Sequence, residues 1–125
     1  MIGYKPHLPA LDADLIQDIV RRVVEVAQPE KIVLFGSRAR GDQRADSDID
    51  LLVIQRSNVA RHRRAVPIYR ALAGLPTDVD VEVIVYTPSE VEDWSQVRQA
   101  FVTTALRKGR VLYESATSGK AGGLK

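Results

Sequence analysis

The sequence predicts a small α/β (α+β) domain: a mixed β-sheet of three to four strands flanked by helices. Three observations carry this. Two continuous apolar runs, Lys31-Ile32-Val33-Leu34-Phe35 and Asp50-Leu51-Leu52-Val53-Ile54, are separated by a loop rich in charge and turn formers. Short runs of this kind read as strands buried on both faces. A third segment, Asp78 to Tyr86, alternates acid and valine before becoming fully apolar. Around these runs, apolar residues recur at helical spacing.

Each element follows from local signals. Residues 1–10 hold two prolines and a glycine, and an irregular lead-in is expected. Asp12, or a residue just before it, is placed to cap a helix. Leu15, Ile16, Ile19, Val20, Val23, Val24 and Ala27 form its apolar face, and Pro29 ends it. Asn58 to Ala73 reads as a second helix, kinked or starting late near Pro67, because proline removes a donor and clashes mid-helix. Gly74 and Pro76 end that segment. Asp78, Asp80 and Glu82 share one face of the third strand, and Val79, Val81 and Val83 the other. Thr87-Pro88-Ser89-Glu90 is a capping box with proline at the first helical position. The helix it opens is expected to reach Arg107, with a break near Ser95. Val111-Leu112-Tyr113 is an edge strand or a packing segment. The expected domain spans residues 1–114, and the small, Gly-rich residues 115–125 form a disordered tail.

At 125 residues, one core is the expectation. Eighteen basic and sixteen acidic residues leave a net charge of +2, too balanced to imply nucleic-acid binding, though not to exclude it. The absence of cysteine excludes disulfides and thiolate metal sites. No apolar run approaches the ~20 residues of a membrane span, and the first residues lack the apolar stretch of a signal peptide. A cytoplasmic protein is expected.

Residues 36 to 50 carry the chemistry. Gly36 follows a buried strand, where backbone N–H groups can approach a ligand closely. Ser37 adds a hydroxyl donor, and Arg38 and Arg40 add charge suited to a phosphate chain. The competing reading is an ordinary turn with Ser37 capping a helix. The stretch is neither a P-loop nor a dinucleotide fingerprint. Asp48 and Asp50, two apart in a strand, project to the same side about 6.6 Å apart. Oxygen ligands so arranged suit a hard divalent cation. Like charges at a core entrance repel unless a cation lies between them. In the third strand, Glu82 is the acid nearest the apolar half and so the one most in need of a partner, whereas Asp78 fits a half-solvated edge. The basic run Arg61-His62-Arg63-Arg64 is read as a solvated helix face, Trp94 as packing, and His7 as carrying no signal.

Taken together, Gly36-Ser37-Arg38-Ala39-Arg40-Gly41, Ser47-Asp48-Ile49-Asp50-Leu51 and a later acid resemble the DNA polymerase β-like nucleotidyltransferase superfamily. The chain's size makes it similar to the minimal, antitoxin-type group. The resemblance covers roughly residues 11–114. It implies a nucleotidyltransferase fold, with Gly36, Ser37, Arg38 and Arg40 toward the triphosphate of ATP or another nucleotide. It also implies that Asp48 and Asp50 bind Mg²⁺, with two ions expected. A third acid would then activate the attacking hydroxyl. Its offset from Thr87-Pro88 points to Glu82, whereas the commoner aspartate keeps Asp80 in play.

The implied activity is transfer of a nucleoside monophosphate, AMP from ATP, to a hydroxyl on a helical, toxin-like partner protein. Two alternatives stand beside it: a non-catalytic antitoxin acting by contact, and transfer to a small molecule. Self-association is open, with Val111 and Leu112 as candidate contacts.

Overall fold

Four strands, β1 (Lys31–Phe35), β2 (Ile49–Ile54), β3 (Val81–Tyr86) and β4 (Arg110–Glu114), form one mixed sheet in the order β3-β2-β1-β4. The structure, a computed structural model, describes residues 7–36, 48–75, 79–94 and 101–115. Its helices are α1 (His7–Ala27), α2 (Arg61–Arg64), α3 (Val66–Leu72), α4 (Pro88–Trp94) and α5 (Phe101–Lys108). β1 runs antiparallel to both β2 and β4, and β2 runs parallel to β3. The expected fold class is therefore observed, and Val111-Leu112-Tyr113 forms an edge strand.

Strand alternation explains how two cores share one sheet. Ile32, Leu34, Ile49, Leu51, Val53, Val83 and Val85 pack with Ile19 and Val23 of α1 and with Ile68 and Leu72 of α3. Val33 and Leu52 turn the other way, onto Val102 and Ala105 of α5, with Phe35, Tyr86, Val91 and Leu106 around them. This is why β1 and β2 read as unbroken apolar runs. On the second face, Glu82 and Ile84 remain exposed. Gly109 ends α5, its N–H donating to the Ala105 carbonyl at 2.7 Å. A Cβ there would come within 2.6 Å of Val33 and 2.8 Å of the Leu34 carbonyl, so only glycine lets the chain turn this close to β1.

The outer edge of β3 is protected by side chains. The Tyr69 hydroxyl accepts the Val83 N–H at 2.7 Å, and Arg64 donates to the Val85 carbonyl at 3.3 Å. Strand groups that would otherwise invite another chain are thus occupied.

Several boundaries differ from expectation. α1 begins at His7, so residues 7–10 are helical and Asp12 lies inside the helix. Pro9 is tolerated because first-turn N–H groups have no intrahelical acceptor to lose. The segment from Asn58 to Ala73 divides into α2 and α3, with Pro67 in the opening turn of α3, the late start anticipated. β3 begins at Val81, leaving Asp80 just outside it. Asp78, Ser95 and residues 116–125 lie outside the described residues. Among the described residues no helix is long and apolar enough to cross a membrane.

Arg64 also departs from the solvated-face reading of residues 61–64, since its side chain is only 8% exposed. It forks onto Glu90 at 2.8 and 3.1 Å and donates to the Val59 carbonyl at 2.8 Å. Glu90 completes the expected capping box: it accepts the Thr87 N–H at 2.9 Å, and its own N–H donates to the Thr87 hydroxyl at 3.2 Å. The Arg64 hydrogen bonds hold the Glu90 carboxyl down to about 2, with the Thr87 N–H assisting.

Removing either partner strands the other. Arg64→Ala is expected to cost about 2 kcal/mol in chemical denaturation. Glu90 has a depressed folded-state value, so its contribution is complete above its ordinary 4.5 and is lost as pH falls toward about 2. Glu90→Gln should therefore lower stability at neutral pH and flatten the acid limb of the stability curve, as followed by denaturant titrations across that range.

Candidate active site

Three strand ends meet at one edge of the sheet. β1 delivers Gly36 immediately after Phe35, and Phe35 is the cross-strand partner of Asp50 in β2. Because β3 runs parallel to β2, its first residues reach the same edge, with Glu82 in register beside Asp50. Asp48 immediately precedes β2, and the Ile49 N–H between the two aspartates donates to the Asp80 carbonyl at 2.9 Å. The topology thus gathers Gly36, Asp48, Asp50 and Glu82 from segments that are distant in sequence.

The site is crowded at Asp50. Gly36 has φ +80°, a left-handed conformation suited to glycine. A Cβ there would stand 2.5 Å from the Asp50 Oδ2, so any larger residue would have to displace that carboxylate. The glycine read in the sequence as an approach point for phosphate is therefore also the space in which Asp50 sits.

Burial pushes the Asp50 carboxyl up, and the negative charges of Asp48 and Glu82 push it further. The charges that act on Asp50 are these two, while Asp80 lies one residue outside the strand. Glu82 is exposed, not buried as its place in an apolar strand suggested, since this part of the second sheet face is open. Among the described residues no three acidic or imidazole groups already stand grouped as a closed metal site. The arrangement is instead one half-buried carboxylate flanked by two more exposed ones. Ser37, Arg38 and Arg40 lie outside the described residues.

Residues 14–106 match the nucleotidyltransferase domain family. The chain belongs to that family. No curated protein sequence matches it significantly. Among solved structures, a nucleotidyltransferase candidate from Sulfolobus solfataricus is similar at 22% identity and a TM-score of 0.60, over 91% of this chain and 93% of the other. A toxin–antitoxin structure with AMP-PNP is similar at 23% identity and a TM-score of 0.50, over 85% and 78%. A variant of the toxin–antitoxin MntA-HpeT is similar at 20% identity and a TM-score of 0.53, over 84% and 76%. These likenesses bear on the fold.

In this nucleotidyltransferase, sequence reasoning missed one supporting contact. Arg64 fixes Glu90 and thereby the cap that follows β3, the strand bearing Glu82. The capping box was visible in sequence, but nothing there showed that a residue 26 positions earlier would clamp it.

A raised carboxylate reverses the usual pH linkage. The folded state holds the Asp50 proton more tightly than the unfolded chain, so Asp50 costs stability as pH rises through its unfolded and then its folded value. In metal-free buffer at neutral pH, Asp50→Asn should raise stability modestly, because the amide carries no charge to desolvate or repel. The gain should vanish in acid, where wild-type Asp50 is already neutral. Thermal melts with chelator at both pH values check it.

Proposed function

We propose that the chain transfers AMP from ATP to a hydroxyl on a partner protein, in a Mg²⁺-dependent reaction. The observation that supports this most is the parallel register that sets Glu82 beside Asp50, with Asp48 just upstream. The donor set fits the metal: three carboxylates offer only oxygen, which hard divalent cations favour. The raised Asp50 carboxyl reflects a negative site that a cation would relieve.

In this reading Asp48 and Asp50 hold Mg²⁺, and Glu82 completes the set. Two Mg²⁺ ions, when bound, would offset the phosphate charge and acidify the acceptor hydroxyl. Gly36 presents its backbone to the triphosphate, Ser37 donates a hydroxyl, and Arg38 or Arg40 offsets the charge that grows on the leaving group. Glu82 orients the acceptor hydroxyl and draws off its proton. The hydroxyl oxygen attacks the α-phosphorus in line, the bond to the bridging oxygen breaks, and pyrophosphate leaves. Glu82 is preferred to Asp80 because it alone of the two acts on Asp50.

ATP as donor and a toxin-like helical partner as acceptor draw support from the resemblance to minimal nucleotidyltransferases and from the toxin–antitoxin structures, one with AMP-PNP. In such a pair the partner, or a second copy of the chain, would supply the surface that holds the acceptor. The cytoplasm, where ATP is abundant, is the location this reading expects.

The test is to incubate the chain with α-labelled ATP, Mg²⁺ and the protein encoded beside it. The partner should gain the mass of one AMP or more. Glu82→Gln should slow transfer by about a hundredfold or more, within the range for a positioned proton acceptor, and Asp80→Asn by less than about threefold. Equal damage from both would move the third carboxylate to Asp80. Transfer at the wild-type rate in Asp48→Asn or Asp50→Asn would overturn the metal assignment, and partner binding with no mass gain would favour a contact-only antitoxin.

A further inference from the structure

The end of the sheet opposite Asp50 carries an open groove of about 620 Å³ between the β2–α2 connection and α3. Gln55 lies at its lip, five residues beyond Asp50 and thus about 16 Å away along an extended strand. The groove has two characters. Val59 and Val66 line one part and are 48% and 43% exposed, with Pro67 beside them. Arg63, Arg64 and Arg70 line the rest, and no carboxylate does.

Arg64 is committed to Glu90. Arg63 and Arg70 are exposed and have no carboxylate partner among the described residues. Arginine is enriched in protein contacts, where it supplies directed donors, and the exposed valines add an apolar patch beside it from which a partner would exclude water. A nucleic-acid track would instead combine basic residues with stacking rings. Here the nearby Tyr86 ring lies under the Arg61 guanidinium, 5.1 Å from its centroid.

We infer that this groove docks an acidic, leucine-bearing helical segment of another protein, seating aliphatic side chains on Val59 and Val66 and carboxylates against Arg63 and Arg70. Charge complementarity selects the occupant: two exposed arginines without a carboxylate partner among the described residues, at an apolar groove whose lining holds no acid, call for apolar side chains flanked by carboxylates. A helix presents that pattern on one face at i, i+3 and i+4 spacing. Seated there, the partner leaves the Asp50 edge open. The site stands whether or not the chain transfers nucleotides.

Fluorescence anisotropy tests it with three labelled probes: a synthetic helical peptide with leucines at helical spacing and glutamates between, the same peptide with lysine for glutamate, and poly(A) RNA. The glutamate peptide should bind, and Arg63→Glu/Arg70→Glu should weaken it by about tenfold or more. Arg107→Glu/Arg110→Glu, an equal charge change elsewhere, should leave binding intact. If the first double variant melts early, hydrogen exchange on the wild-type chain decides: the peptide should protect residues 57–70. Preference for the lysine peptide or the RNA, unchanged binding after charge reversal, protection elsewhere, or no binding by the glutamate peptide would each overturn the inference.

Discussion

Asp50 is half buried, packed against the space left by Gly36, and flanked by the charges of Asp48 and Glu82, so its ionisation is opposed by both desolvation and repulsion. Relief requires either a proton or a cation. In the proposed reading a cation supplies that relief at neutral pH, and three features of the surrounding geometry would serve it. β1 must be followed by a residue without a side chain, and β3 must run parallel to β2 so that its first acid reaches the same edge. That edge must stay open on the sheet face where α4 and α5 do not cover Glu82 and Ile84. A fold that stores repulsion at one edge must offset it elsewhere, as functional sites commonly do.

The offset is visible in β2. Every residue of that strand except Asp50 is buried, Leu51 and Val53 on one face and Leu52 on the other. The strand is therefore held on both sides while its first turn outward carries the charge. At the far end, Arg64, Glu90 and Thr87 lock the exit of β3 to α2 and α4, and Tyr69 closes the strand's outer edge. β3 is thus fixed along its length, which keeps Glu82 in register beside Asp50. The exposed arginine and valine groove lies beyond this lock, separated from the acids by the length of the strand.

The features legible in sequence were those set by local physics. The apolar runs around Val33 and Leu52 announced doubly covered strands, and Thr87 with Glu90 announced a helix start. The pair Asp48 and Asp50 announced a charged edge. What was not legible depended on contacts between distant segments. Pro9 looked like a helix breaker and proved harmless in an opening turn. Arg64 looked like one of several solvated basic residues, because its partner lies across the β3 exit. The register that sets Glu82, and not Asp80, opposite Asp50 was hidden too, because two residues on one strand face do not reveal their cross-strand partners. The need for glycine at position 36 was read as room for a ligand, whereas part of it is room for Asp50.

The central claim is that Gly36, Asp48, Asp50 and Glu82 form one cation-holding edge. Crystals grown with Mn²⁺ and a non-hydrolysable ATP analogue test it most directly, because the anomalous signal locates the metal independently of the fold. An anomalous peak about 2.1–2.2 Å from carboxylate oxygens of Asp48 and Asp50, with Glu82 facing the same ion or its neighbour, is the expected result. Bound nucleotide with the metal held away from Asp50, or with Glu82 turned from it, would contradict the account.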